Sequence, residues 1–449
     1  MKMEAKRDTS GIDVSGYTLD ALPMRSRQFI VLGVTMLLAI LDGYDALAMA
    51  LVAPAVTREW HLGKGFLGII LSSSLMGMAI GSIFLSPIAD RLGRRPLLLG
   101  GLAAMTFGSM MAGVASGPQM LAAGRFVTGL GIGAVVPLTA LFAAEFANRR
   151  VRPIAVAAIA TIGFPVGGIL GGVLASAALP ALGWHWIFLL GAIGGAVLVI
   201  PVLLFLPESP AYLLTCGAPD ALPRINHVLA RLGHRPLAAV PAAPVEAVRQ
   251  PYRVLFSAGA AATTARLIAI NLLMATTTFY IINWLPQQIS DLGFSLTVAS
   301  SVSAVSHATG MLGGVVIGLL AIRFAATRLA GLMMIGCTVA LLILGHAPPV
   351  LAVLMTAACI YGFCGVASTG LFYGILTSSF APLQRASGIG LVIGVGRAAS
   401  AVAPAMAGWM FAEGFSRSTV SMIFACGPLI AALLVWRIPV ASGNTEEAR

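Results

Sequence analysis

Long apolar stretches alternate with short polar ones along the chain, and twelve can be drawn: 29–55, 65–89, 96–116, 118–146, 153–179, 185–206, 262–287, 295–322, 329–346, 349–380, 386–411 and 418–438. Each is about 18 residues or longer, enough for a helix to cross a ~30 Å hydrocarbon core. Lipid offers the backbone no hydrogen-bond partner, so helices that satisfy their own amides are the expected form. The rhythm breaks from Pro207 to about Gly259, where prolines gather with Arg224, Arg231, Arg235, Arg249 and Arg253. The pattern therefore predicts an all-α membrane protein of twelve transmembrane helices in two six-helix bundles. Its expected parts are a tail at 1–28, a bundle at 29–206, a connector at 207–261, a bundle at 262–440 and a tail at 441–449.

The two halves align at an offset of about 233 residues, with Gly81 on Gly314, Gly129 on Gly362, Arg152 on Arg385 and Gly163 on Gly396. Glycine matches alone carry little in a chain with 51 glycines, but the spans coincide at the same offset without gaps. An internal repeat of this kind is a transporter architecture, with its site expected between the halves.

Composition sharpens the membrane reading. Hydrophobic residues make up 58% of the 449 and charged residues only 10%, with a mean hydropathy of +0.95, whereas a soluble domain carries about 25% charged residues. The net charge of +11 would suggest a nucleic-acid partner until the cations are located. Of the 27 Lys and Arg, 22 are on the side of the N-terminal tail, the even-numbered loops and the C-terminal tail. Only Arg58, Lys64 and Arg417 fall on the other side, and Arg125 and Arg397 lie within spans. The positive-inside rule then places both termini in the cytoplasm, and the charge records topology instead of DNA binding. No cleaved signal peptide is expected ahead of the first span. Five cysteines, four of them inside spans, read as small apolar side chains with no disulfide framework or zinc site.

Chemistry enters with Leu41, Asp42, Gly43, Tyr44 and Asp45, which put two carboxyls near the middle of the first span. An ionised Asp at that depth costs roughly 2.5–3.5 kcal/mol on insertion scales, so such residues are kept for function. Three positions apart on a helix, the two fall on neighbouring parts of one face and are expected to line one cavity. Arg125 in span four lies at a depth close to that of Asp45, so a pair between them is expected, and proton coupling is assigned to Asp42, Asp45 and Arg125. Arg397, about eleven residues into span eleven, is the cation best placed to meet a substrate anion. Tyr44, Phe164, Tyr280, Tyr361 and Tyr373 are candidate ring neighbours, and His307 in span eight is a further mid-depth candidate. At the cytoplasmic side, Asp90, Arg91, Gly93, Arg94 and Arg95 follow span two, Glu145 ends span four and Arg385 opens span eleven; these are expected to form gates.

The run Ser86, Pro87, Ile88, Ala89, Asp90, Arg91, Leu92, Gly93, Arg94, Arg95 resembles the loop signature of the major facilitator superfamily, G-x-L-a-D-R-x-G-R-R, with Ser86 in place of Gly. The equivalent loop, Gly318 to Ala325, has Ile322 where the acid would stand and Ala325 for the second Gly, so the latch is expected mainly in the first half. Arg125, Gly129, Gly131 and Gly133 are similar to the superfamily's R-x-x-x-G-x-G-x-G pattern; glycines there let a second helix approach. The D-G-Y-D run, the Gly394, Val395, Gly396, Arg397 run and the pair Trp284 and Pro286 together resemble the aromatic acid:proton symporter family within that superfamily, over all twelve spans. Gly163, Phe164, Pro165, Val166, Gly167, Gly168 is similar to the antiporter G-P-x-x-G-G motif but has one residue too few after the proline.

That resemblance implies the major facilitator fold and import of hydroxybenzoate-like acids with protons through alternating access. It fits the residues, since an aromatic carboxylate needs one cation and a flat apolar pocket. The expected partners are a small aromatic carboxylate, protons and the lipid bilayer of a bacterial cytoplasmic membrane, with no obligate protein partner and no nucleic acid. There is no G-x-x-x-x-G-K-[ST] loop and no H-E-x-x-H, so no enzyme, metal site or cofactor is expected. Two other readings stand beside this one: transport of another organic anion or a sugar, and a membrane chemosensor for aromatic acids.

Overall fold

The computed structural model describes residues 19, 22–85, 88–215, 220–237, 255–256, 261–380 and 385–438. Twelve of its helices are long and apolar enough to cross a membrane. The first six are α1 (Ser26–Trp60), α2 (Lys64–Phe84), α3 (Arg94–Gly113), α4 (Pro118–Phe146), α5 (Arg152–Leu182) and α6 (His185–Phe205). The second six are α7 (Ala261–Asp291), α8 (Leu296–Leu320), α9 (Ala326–His346), α10 (Leu351–Ser378), α11 (Arg385–Ala412) and α12 (Arg417–Val435). Short connections force neighbours antiparallel, so the described ends of the chain and the connector share one face of the molecule. The opposite face is called the far face below.

Helices α2 to α6 and α8 to α12 start 232 or 233 residues apart, pair by pair. The equivalence extends to the packing. Gly129 on α4 lies so close to α2 that a Cβ would fall on the main-chain oxygen of Ser74, and Gly362 on α10 meets the oxygen of Ser306 on α8 in the same way. Small residues at helix crossings let backbones touch where lipid supplies no hydrophobic drive for association, so dispersion contacts hold the crossing.

Helix α5 is interrupted. Its middle, Ile159–Gly163, is a π-helical turn that ends at Phe164 and Pro165. Proline has no N–H to continue the ladder, and a wide turn is how a helix absorbs that loss. The turn lets the following Gly167 lie against the backbone of Ile40 and Tyr44 on α1.

Three things the pattern of apolar stretches did not predict appear on the face with the termini. The connector is not a plain loop: it carries helices at Pro210–Thr215 and Ala221–Leu232. Ile225, Val228, Leu229 and Leu232 recur at helical spacing and are buried in one cluster with Val31, Phe142 and Phe146 of the first bundle. His234, just beyond, donates through Nε2 to Gln28 Oε1 at 3.0 Å, an assignment fixed because the Gln28 amide nitrogen is spent on the Phe146 carbonyl.

Hydrogen bonds between the bundles gather towards the far face. Lys64 pairs with Asp291 at 2.7 Å, Arg58 donates to Ser290 at 2.8 Å and Ala405 N donates to Ser72 Oγ at 2.9 Å. Gly68 on α2 abuts Pro404, Ala405 and Gly408 on α11, and Gly172 on α5 abuts Ser300 and Ala304 on α8. The innermost of these contacts is that of Arg397, near the middle of α11, with Met78, about two-thirds of the way along α2 from the far face. The bundles are thus closed together on the far side.

Candidate functional site

Asp45 is 1% exposed inside the first bundle. Its Oδ1 accepts from Ser109 Oγ at 3.1 Å, and Gly191 on α6 makes room for it, since a Cβ there would come within 2.7 Å of that oxygen. Arg125 is fully buried beside it, yet the expected Arg125–Asp45 ion pair takes another form. Arg125 Nη2 donates to the main-chain oxygen of Asp45 at 2.6 Å, while Nε and Nη1 have no hydrogen-bond partner. The guanidinium lies over the Phe188 ring, 5.5 Å from its centroid, which supplies part of the missing stabilisation. A cation buried with two idle N–H groups is costly, and it can turn towards a neighbouring carboxylate by a small rotation.

Asp42 does not share that buried chamber. It is half-buried, and the charges that act on it are Arg397 of α11, in the other bundle, and Asp45 one turn along α1. The two do not touch as an ion pair; Arg397 Nη1 is 2.8 Å from Met78 Sδ, a weak acceptor. The sequence put both carboxyls on one cavity wall; the structure seats Asp45 among Ser109, Arg125 and Gly191 of the first bundle, while Asp42 lies within reach of Arg397 of the second as well as of Asp45. Sixty degrees of helix rotation is enough to separate them because α1 runs along the interface between bundles.

Four of the proposed ring neighbours and mid-depth groups meet. Phe164, His307, Tyr361 and Tyr373 line one cavity of about 190 Å³ with Thr161, Pro165, Thr278, Ile282, Ser306 and Gly365. An apolar cavity of roughly 150 Å³ is enough to hold benzene, so one substituted ring fits. The interrupted segment of α5 delivers Thr161, Phe164 and Pro165 to this wall. Gly168, one turn further, takes the edge of the His307 ring, leaving no space for a Cβ. Phe164 also touches α1, because its main-chain oxygen occupies the place a side chain at Gly43 would need. The ring cavity and Asp42 are therefore adjacent through a single residue.

Two of the expected ring neighbours lie elsewhere. Tyr44 is buried within the first bundle, donating to the Ile187 carbonyl at 2.6 Å. Tyr280 is buried within the second, stacked on Phe424 at 4.0 Å between ring centroids and bonded to Ser421 and Gln288. Each hydroxyl has found a partner within its own bundle, which is what burial of a phenol requires. Aromatic residues at mid-depth are indistinguishable in sequence; the discriminating signal is the side of the helix.

Of the expected gate residues, Gly93, Arg94 and Glu145 come together in one cluster on the face with the termini. Arg94 and Glu145 are ion-paired, and Ser209 Oγ accepts from Arg94 at 3.1 Å and donates to Glu145. Glu208, which the sequence reading missed, caps the start of α3 by accepting from the amides of Arg94 at 3.1 Å and Arg95 at 3.2 Å. Gly93 is needed there twice: its φ is +105°, and a Cβ would come within 2.6 Å of the Glu208 carboxylate. Arg95 donates to the Leu203 carbonyl at 2.7 Å. Arg91 is exposed, its carbonyl accepting from the Tyr212 hydroxyl. The side chains of Asp90 and Arg385 lie outside the described residues. A readable signal for Glu208 was an acid between prolines, Pro207 and Pro210, directly after a span.

Two packed six-helix bundles, with Asp42, Arg397 and a ring-sized cavity where they meet, define a transporter fold. The chain belongs to the Major Facilitator Superfamily, whose sequence profile matches residues 29–288. It is similar to the 4-hydroxybenzoate transporter PcaK of Acinetobacter baylyi, 30% identical with 86% of each chain covered. The 4-hydroxybenzoate transporter PcaK of Pseudomonas aeruginosa and the gallate transporter of Pseudomonas putida are both 29% identical, again with 86% of each chain covered. Among solved structures, a D-xylose-proton symporter superposes with a TM-score of 0.71 at 19% identity, covering 92% of this chain and 98% of its own. The 4-hydroxybenzoate and gallate transporters are of the aromatic acid group that the D-G-Y-D and G-V-G-R runs resemble.

Proposed function

We propose that this protein imports a small aromatic carboxylate, of the hydroxybenzoate kind, together with protons across a bacterial cytoplasmic membrane, with both termini in the cytoplasm. The observation that carries the reading is an apolar cavity of one-ring size at the bundle interface, whose wall residue Phe164 packs on Gly43 beside Asp42, an acid within reach of the charge of Arg397 on the other bundle but not ion-paired with it. Arg397 serves as the clamp for the substrate carboxylate. Asp42 competes with that carboxylate for the same cation, so protonation of Asp42 releases Arg397 to the substrate. Asp45, held by Ser109 with two nitrogens of Arg125 unpartnered beside it, is a second proton site within the first bundle. The bundle contacts on the far face correspond, in this orientation, to a conformation closed to the outside. The names of the aromatic acid transporters among the relatives support the substrate class.

The test is uptake of labelled 4-hydroxybenzoate into proteoliposomes with and without an inward proton gradient. Wild type should accumulate substrate only with the gradient, and Asp42→Asn and Asp45→Asn should lose accumulation while remaining folded. Asn keeps the shape of Asp but carries no proton near neutral pH. Full, gradient-driven accumulation by both variants would refute the coupling.

A further inference from the structure

Three arginines surround the end of α6 on the face with the termini, and the transport reading uses none of them as a binding group. Arg27 at the start of α1 donates through Nη1 to the Arg231 carbonyl at 2.6 Å, Arg231 of the connector helix donates to the Leu204 carbonyl, and Arg95 donates to the Leu203 carbonyl. The carbonyls of a last helical turn have no partner within the helix, so these bonds fix the guanidiniums in place. Among the described residues none of the three makes an ion pair, and a fixed guanidinium retains further N–H groups.

Arg27 and Arg231 both line a groove of about 270 Å³, with Ile30, Leu204, Phe205, Pro207 and Leu232 completing the wall. Ile30, Leu204 and Phe205 are 43%, 55% and 46% exposed, and they lie at the start of α1 and the end of α6. In a spanning helix such exposure faces acyl chains. The groove therefore joins two cations without acidic partners to an apolar strip that runs down into the lipid. A soluble anion would match only the upper half; a phosphodiester attached to acyl chains matches both.

We propose that this groove binds the headgroup phosphate of an anionic phospholipid between Arg27 and Arg231, with an acyl chain along Ile30, Leu204 and Phe205. Guanidinium suits this role because its planar fork meets phosphate oxygens through two parallel hydrogen bonds. The lipid would join α1, α6 and the connector helix at one point, on the leaflet nearer the termini. Basic pockets beside spanning helices are a known form of headgroup recognition.

The test titrates purified full-length protein with phosphatidylglycerol or phosphatidylcholine and reads bound lipid by native mass spectrometry. Wild type should prefer phosphatidylglycerol. Arg27→Gln/Arg231→Gln should weaken that binding by roughly 30-fold, about 2 kcal/mol at 1.4 kcal/mol per decade. Arg149→Gln/Arg150→Gln, which removes two exposed cations outside the groove, should bind within about twofold of wild type, allowing for screening of surface charge. If the glutamine variant is not monodisperse, Arg27→Lys/Arg231→Lys is read in its place; it keeps both charges, loses the fork and should bind at least about threefold more weakly. Binding unchanged in the substituted groove, or equal binding of the two lipids, overturns the proposal. Competition by soluble sn-glycerol phosphate at the same concentration as the lipid would also overturn it, by reducing the groove to an anion site.

Discussion

Arg397 is the residue on which the proposed mechanism is most exposed to test. Its Nη1 is occupied only by a methionine sulfur, and among the described residues no carboxylate lies within ion-pair distance, so its fork is free to take a substrate carboxylate. Removing one partner of a fully buried charged pair costs about 3–5 kcal/mol. Arg397 is half-buried, which favours the lower end, about 3 kcal/mol or roughly two decades in Kd. Arg397→Ala should therefore bind 4-hydroxybenzoate about two decades more weakly, whereas Arg397→Lys should recover roughly one of them, having a charge but no planar fork. The neutral 4-hydroxybenzamide should distinguish wild type from Arg397→Ala by less than about threefold, since it never formed the charged bonds.

Isothermal calorimetry on purified protein reads all three comparisons. Asp42→Asn adds a fourth: removing the competitor should tighten binding of the acid in wild type and do nothing in the Arg397→Ala background. That non-additivity is the signature of two anions sharing one cation. If Arg397→Ala binds the acid within about threefold of wild type, the clamp lies elsewhere, and Arg125, with two idle N–H groups, becomes the next candidate.

Glu208→Gln should cost about 1 kcal/mol through its weakened cap on α3, lowering the melting midpoint by roughly 1 °C, while Glu145 and Arg94 stay paired; an unchanged midpoint in a thermal melt would remove the cap from the argument. Gly129→Val and Gly362→Val should each destabilise by at least about 1–3 kcal/mol because the added atoms meet main chain, whereas Gly100→Ala and Gly370→Ala, with nothing within 4 Å, should be near neutral; equal melting midpoints for all four would contradict the packing. The His234 imidazole is held below its ordinary 6.5 by burial and by the nearby Arg25, so the folded state binds fewer protons there than the unfolded state. Its contribution is complete above about pH 6.5 and lost as pH falls below it, so acidification should loosen the connector helix, and His234→Gln should flatten the pH dependence of amide exchange across Ala221–Leu232.

How much of this was legible follows from what each signal depends on. The spans and their repeat were readable because hydrocarbon imposes length and apolarity on every helix independently of its neighbours. Asp42, Arg125 and Arg397 stand out as candidates in the sequence because a charge at that depth is expensive wherever it points. The side to which a residue turns depends on which helix packs where, and that is why Tyr44 and Tyr280 were grouped with Phe164, Tyr361 and Tyr373, although their hydroxyls bond inside separate bundles. The same loss of direction put Asp45 on the wall of Asp42. The connector helix was hidden for another reason: prolines and arginines mark a break in a membrane pattern, and the short apolar stripe from Ile225 to Leu232 is too polar overall to register as a span.

The repeat also divides the labour unequally, and the division has a mechanical consequence. The first half holds both acids, Arg125 and the cluster of Arg94, Glu145, Glu208 and Ser209, so its charges are mostly satisfied within one bundle. The second half supplies His307, Tyr361 and Tyr373 to the ring cavity and, at mid-depth, only Arg397 as a cation. Where the first half has its capped loop, the second has Ile322, 80% exposed. On the proposed mechanism a substrate that bridges Arg397 and the wall formed by Phe164 is held by both bundles at once, and protonation of Asp42 would change the attraction between those same bundles. Binding energy and proton energy act on one interface, which is the condition for coupling: a ligand shifts a two-state equilibrium only by its differential affinity for the two states. A site built wholly within either half would bind the acid without biasing the movement that carries it.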